Sequence, residues 1–481
     1  MFYNSMCRSI FVAALGLCVG ILSAGGLAKA ADLGGDCCAD LEERVAELEA
    51  TTVRKGNKKV SVTLSGWVIK SLNWWDDGSE QNLYVGDKGL ALTSHFTLSG
   101  SAQISPGWTA GYNTTIEAPG GVFGFATNQF QDNAGILTGI NGLNTLLSYM
   151  WIKSDKWGTV QWGQNSQATD NLTLLVDLSG TVIESNGIFM EGAGFFLRPK
   201  GGPKGSAGLE TAIWSSFLTC SNLNAGADCN GLPTNNFQYI SPTFGGFSAA
   251  TSYGEDDFWD VALKYASDWG SFKVAAAAGY TNNLDENFIF GANSPPNHNL
   301  DSDFYQVGAS IMHVPSGLWA YAAWQGEETN KPAFTTPGFI GSPIPPRNIP
   351  DHDLWFAKAG IKRNFNPLGA TVLWVDGGQY HNMFGGLQLQ DVCANNGGSL
   401  GGVPGTNLNN ACATNFVTVT DSTVNRWGAG VVQEIDSAAM HLFMKWQHQE
   451  VDATFVTQSG KNVPQSFDNW DLFQAGGIIF F

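Results

Sequence analysis

Charge is what this 481-residue chain has least of. Asp, Glu, Lys and Arg together make up 14% of it, where soluble proteins average about 25%. A water-exposed surface on a domain of this length needs more, so an ordinary globular protein is the wrong class. Basic residues are scarcer still. The 24 Lys and Arg against 42 Asp and Glu leave a formal charge of −18, which argues against nucleic acid and anionic lipid as partners. Beyond residue 30 no stretch approaches the roughly 20 apolar residues that a spanning helix requires. Motifs of chemistry are missing too: there is no nucleophile elbow, no H-E-x-x-H, no P-loop and no dinucleotide fingerprint. The histidines, His95, His298, His313, His352, His381, His441 and His448, are scattered without metal-site spacing. No enzyme, cofactor or metal centre is expected.

Glycine and aromatics are abundant instead, at 59 residues and 12%. The front of the chain sets the compartment. Arg8 supplies a positive start, Ile10 to Leu22 an apolar run, and Ala28-Lys29-Ala30 a cleavage site, so residues 1–30 read as a secretory signal peptide. Leu17 is too large to make Cys18 a lipidation site. Cleavage before Ala31 removes Arg8 and Lys29 and no acid, moving the formal charge from −18 to −20. Of the cysteines that remain, Cys220 with Cys229 and Cys393 with Cys412 would each close a short loop, and an oxidising compartment makes both pairs expected disulfides. Cys37-Cys38 is harder to place, intermolecular pairing being one option. Residues 31–57 carry Leu41, Val45 and Leu48 at helical spacing, barely one heptad. A short trimeric coil and a solvated spacer are both open readings.

From Val60 the apolar period becomes two. Val60, Val62 and Leu64 alternate with Ser61, Thr63 and Ser65, and Phe96, Leu98, Gly100, Ala102 and Ile104 with Thr97, Ser99, Ser101 and Gln103. Tight junctions follow at Ser105-Pro106-Gly107, Asp155–Gly158, Ser241–Gly245, Asp268–Gly270, Pro315–Gly317, Asn366–Leu368 and Asp436-Ser437. The connections between them are long and polar: 74–93, 119–145, 164–235, 282–302, 328–352, 381–421 and 449–469, with Gly254–Asp257 the short exception. Segregated loop lengths and a low charge content predict an all-β fold, a transmembrane antiparallel barrel of about sixteen strands over 58–481. Trp108, Tyr149, Trp162, Tyr253, Trp259 and Tyr280 stand at strand ends, as aromatic girdles require. The chain closes on an alternating segment, Phe473, Ala475, Gly477 and Ile479, and stops on Phe481. Outer-membrane barrels end this way, because the last strand pairs with the first and leaves no edge in lipid.

The residues Cys37-Cys38-Ala39-Asp40-Leu41-Glu42-Glu43-Arg44-Val45-Ala46-Glu47-Leu48-Glu49, the Val60–Gly66 strand, Trp75-Asp76-Asp77-Gly78, Asp177-Leu178-Ser179-Gly180 and Tyr239–Phe247 resemble the general porins of alphaproteobacteria over nearly the whole mature length. The resemblance implies a sixteen-stranded homotrimer in the outer membrane, a third loop folded into the lumen, and passive diffusion of small hydrophilic solutes. It further implies handling by the barrel insertion machinery, and the mature start Ala31-Asp32 resembles barrel ends joined to peptidoglycan through the terminal amine, a free end being the other reading. The loop acid pairs Asp76-Asp77, Asp256-Asp257 and Asp301 with Asp303 read as solvated, or as holding divalent cations that bridge lipopolysaccharide. Trp67 and Ile69 depart from the polar lumen expected after Gly66. A substrate-specific channel with a saturable site is the other reading.

Residues 164–235 form the longest loop and are the candidate constriction. Among their acids, Asp170, Asp177, Glu184 and Glu191 are the candidates; strand parity turns the bases Lys264, Lys273, Lys358, Arg426 and Lys445 inward. A charge facing lipid costs about 2–4 kcal/mol at the midplane. An acidic loop opposite a basic wall would set a transverse field across the opening.

Overall fold

A computed structural model describes residues 59–88, 93–118, 127–129, 143–185, 191–198, 200, 213–218, 220, 233–254, 258–283, 302–329, 350–383, 388–390, 416–457 and 462–481. The signal peptide, the 31–57 segment, Cys229, Cys393 and Cys412 lie outside them.

Every strand is antiparallel to its neighbours in a single closed sheet. In order these are β1 (Thr63–Asp76), β2 (Gln81–Gly86), β3 (His95–Ser105), β4 (Trp108–Glu117), β5 (Asn144–Ser154), β6 (Gly158–Asn165), β7 (Thr234–Ile240), β8 (Phe247–Gly254), β9 (Trp259–Trp269) and β10 (Phe272–Asn283). Then come β11 (Ser302–His313), β12 (Leu318–Thr329), β13 (His352–Asn366), β14 (Gly369–His381), β15 (Gln388–Gln390), β16 (Phe416–Ile435), β17 (Met440–Thr457), β18 (Asn462–Ser466) and β19 (Trp470–Phe480). Sixteen of the nineteen form the wall. Of the other three, β15 and β18 pair only with the outer ends of β16 and β17 and raise the wall above its rim, while β2 pairs with Ser71–Asp76 of β1, level with the β1 to β19 ladder. All three lie inside segments that read as plain loops, because strands of six residues or fewer carry too little of the period to stand out.

Closure is made by the terminal residues. β1 pairs with β19 from Trp67 opposite Phe480 to Asp76 opposite Asp471. Beyond that ladder, Gly66 N–H donates to the Phe481 carbonyl at 2.9 Å, and Phe481 N–H donates back to the Gly66 carbonyl at 3.1 Å. The expected role of Phe481 in barrel closure is therefore a pair of backbone hydrogen bonds that satisfies both ends of the edge.

The two faces of the wall differ as a bilayer demands. Leu72, Val85, Met150, Leu263, Val307, Val375, Met444 and Ile479 are exposed on the outside. Ser71, Asn73, Gln306, Gln325, Arg426 and Gln447 are buried on the inside. The outer aromatics form ladders: Trp259 to Tyr280 and Tyr280 to Tyr305 are each 5.3 Å apart. Tyr149 departs from the expected girdle. It registers with Asn113 and Gly163, in the row that faces inward between Met150 and Ser148. Trp67 and Ile69 do face the lumen, where Trp67 lies 3.8 Å from the His95 ring. Lys70 is the outward exception, with its ammonium 2.5 Å from the buried Asp87 carboxylate.

Candidate functional site

The connection from β6 to β7 turns into the barrel and follows its inner wall. At its start the Thr169 hydroxyl and backbone N–H both donate to Asp260 Oδ2 at 2.7 Å, near the outer end of β9. It then crosses β11, where Leu178 N–H meets the Ser310 hydroxyl at 3.2 Å, and β12, where the Tyr321 hydroxyl donates to the Thr173 carbonyl at 3.0 Å. By Gly180 the loop has reached Lys362 and Glu434, at the periplasmic ends of β13 and β16. It climbs again along β17 to β19, where Phe195 packs 5.4 Å from Trp470 and 4.9 Å from Trp75 of β1. Gly192 lies against Trp470 with φ +73; a Cβ there would sit 2.4 Å from the indole, so no larger residue fits that turn.

Ion pairs fix this path. Lys358 Nζ lies 2.5 Å from Asp177 and donates to the Ser185 hydroxyl at 2.6 Å. The short bend Asp177-Leu178-Ser179-Gly180 is held by Ser179 N–H donating to Asp177 Oδ1 at 2.8 Å. Glu184 meets His441 at 2.6 Å, and Glu191 meets Lys445 at 2.5 Å and Lys88 at 3.0 Å. Lys88, contributed by the first loop, also donates to the Ile183 carbonyl, so one ammonium ties both feet of the 184–191 segment. His441 and Lys445 stand four residues apart on β17, about 13 Å along the strand. Further along, Arg198 binds Asp77 at 2.6 Å and Glu80 at 3.1 Å.

Burial works against these carboxylates, yet both end up more acidic than usual. Burial alone would raise Glu191, but Lys445, Lys88 and Arg426 outweigh it and bring it down to about 2. Glu184 is likewise opposed by burial and held below its ordinary range by His441 and Lys88. Breaking such a buried pair costs about 3–5 kcal/mol, because a charge is left without compensation.

The expected site residues thus fall into two groups. Asp177, Glu184 and Glu191 are brought against Lys358, His441 and Lys445, touching them instead of facing them across open lumen. Arg426, buried on the inner face of β16, donates to Gln447 and belongs to the group around Glu191. Asp170 is buried and accepts from Asn171 at 2.7 Å. Lys264 lines the lumen on β9, and Lys273 stands exposed at the periplasmic end of β10. Sequence reasoning missed Lys88, Arg198 and Lys362, whose partners are remote in the chain. Cys220 is buried and disulfide-bonded, which removes it as a ligand from the Cys220, Glu327 and His352 group.

A closed barrel with a third loop seated inside it is a channel architecture. The sequence profile of the Gram-negative porins matches residues 19–454. The chain belongs to that family. It is an outer-membrane porin, a channel for passive diffusion of small hydrophilic solutes. No curated protein sequence matches it. Among solved structures, an anion-selective porin from Comamonas acidovorans superposes with TM-score 0.51 at 17% identity, covering 88% of this chain and 100% of the other. OmpF of Salmonella typhi gives 0.47 at 12%, covering 89% and 99%. OmpT of Vibrio cholerae gives 0.45 at 11%, again covering 89% and 99%.

Proposed function

We propose that this porin is a homotrimeric general diffusion channel whose opening is set by the loop at 164–235. The ion-paired seating of Asp177, Glu184 and Glu191 against the inner wall carries this reading, because it holds a long polar loop across the passage at a fixed place. Asp170, Lys264 and Arg426 complete the set of constriction residues, and Lys273, at the periplasmic end of β10, stands outside it. Since the loop acids are matched by wall bases, selectivity among small ions is weak. Lys70 supports the trimer. An ammonium on the outer face of β1 costs about 2–4 kcal/mol against lipid and far less against another subunit.

The remaining partners follow from export and family. The signal peptide ends at Ala30, Ala31 offers the amine for peptidoglycan, and the outer rim meets lipopolysaccharide. The insertion machinery reads the strand ending in Phe481. Cys220 pairs with Cys229 and Cys393 with Cys412. The test is single-channel current from the purified oligomer in a planar bilayer under a salt gradient. Steps in threes with a small reversal potential are expected; absence of conductance would mean a plugged barrel and overturn the reading.

A further inference from the structure

Among the described residues, the anchoring bonds of the inner loop fall on β7 to β13, β16, β17, β19 and β1, and the charged side chains of the lumen gather there with them. The arc from β3 to β6 is different. In these four strands only Glu117 and Lys153 carry a formal charge, one at the outer end of β4 and the other at the periplasmic end of β5. Between them the inward row is made of hydroxyls, amides and rings. Gly111, Trp151, Gln161 and Gln238 stand in register across β4 to β7, with Asn113, Tyr149, Gly163 and Asn236 in the row beside them.

Trp151 has a particular seat in this arc. Its neighbours Met150 and Ile152 are exposed on the lipid side, so the indole is on the lumen side, where it is half-buried. A Cβ on Gly111 would lie 2.3 Å from Trp151 Cζ2 and 2.4 Å from Cε2. The ring is therefore laid over the β4 backbone in a gap that only glycine leaves. One face is covered by the wall, and among the described residues the other is turned toward the lumen. Asn236, in the adjoining row, is buried and spends its amide on the wall, donating to the Asn165 carbonyl at 2.7 Å and the Thr234 carbonyl at 3.1 Å.

We propose that Trp151, with Asn113 and Gln161 around it, is a binding platform for an uncharged polyhydroxylated solute, a carbohydrate. This rests on the channel reading above and names its substrate class. The C–H face of a pyranose is apolar and faintly positive, which suits the negative face of an indole. Its hydroxyls both donate and accept, which suits amides. A wall without formal charge gives no comparable hold on an ion, and an anion or cation of similar size would keep its hydration instead.

The probe is maltotriose, titrated against potassium chloride current through the full-length oligomer in a planar bilayer, with gluconate and glucosamine as charged controls. Saturable block by maltotriose is expected, with a half-blocking concentration that rises about fivefold or more in Trp151→Ala and much less in Trp151→Phe. Gly111→Val keeps the indole but forces it off the wall, and the same weakening is expected. An unchanged half-blocking concentration in Trp151→Ala, or gluconate blocking as well as maltotriose, would overturn the platform. A parent protein without potassium chloride conductance would overturn the channel itself, a separate failure.

Discussion

Glu191 shows what a single carboxylate does in this lumen. Its acidity is moved from the ordinary 4.5 to about 2 by the ammonium groups of Lys445 and Lys88 and by Arg426, against the opposing effect of burial. A group depressed in this way stabilises its site above the unfolded pKa, and that stability is lost as pH falls through the folded one. The shift is worth roughly 3 kcal/mol at neutral pH. Glu184 is shifted in the same direction by His441, so both feet of the loop respond together. Conductance and tryptophan fluorescence are expected to stay constant from pH 7 to about 5 and to change progressively toward pH 2. Trp470, packed on Gly192 beside Glu191, is the natural reporter. In Glu191→Gln the loosened state is expected already at neutral pH. A response in the parent that stays flat down to pH 2 would contradict this anchoring.

At the scale of strands, closure depends on how few bonds hold the last residue. Phe481 lies outside the regular ladder and exchanges two hydrogen bonds with Gly66. Deleting Phe481 leaves the Gly66 carbonyl and N–H unpaired at the membrane edge, where each costs several kcal/mol. Lower assembly is expected, read as loss of the heat-modifiable band on a gel; a yield equal to the parent would mean that β1 and β19 close without it. The wall strands were legible beforehand because a bilayer on one side and water on the other impose a strict period of two, as in Phe96 to Ile104. Parity likewise turned Lys358, Arg426 and Lys445 inward correctly. The short strands β2, β15 and β18 were not legible, since six residues or fewer carry too little of a period to stand out. Tyr149 misled because it stands at the middle of β5, facing inward, and an aromatic reads alike on either face. The partners of the loop were not legible at all: Lys88 and Glu191 meet only because two loops enter the same lumen.

For the molecule as a whole, a formal charge of −18 would by itself predict strong cation preference. The lumen does not follow the total. Asp177, Glu184, Glu191 and Glu434 each touch a base or a histidine within 3.0 Å, so the passage is close to neutral while the surplus acid lies elsewhere. Arg426 and Lys445 are the bases to remove, because both act on one carboxylate. In Arg426→Ala with Lys445→Ala, Glu191 keeps only Lys88, and the inner wall changes by two charges. A reversal potential displaced toward cations is expected under a salt gradient, with the oligomer still heat-modifiable. Lys273→Ala is the comparison, because that ammonium is exposed at the periplasmic end of β10 and away from the loop. A much smaller displacement is expected there. If the double variant and the parent reverse at the same potential, the charges around Glu191 do not face the permeating ions, and selectivity has to be sought on the arc of β3 to β6.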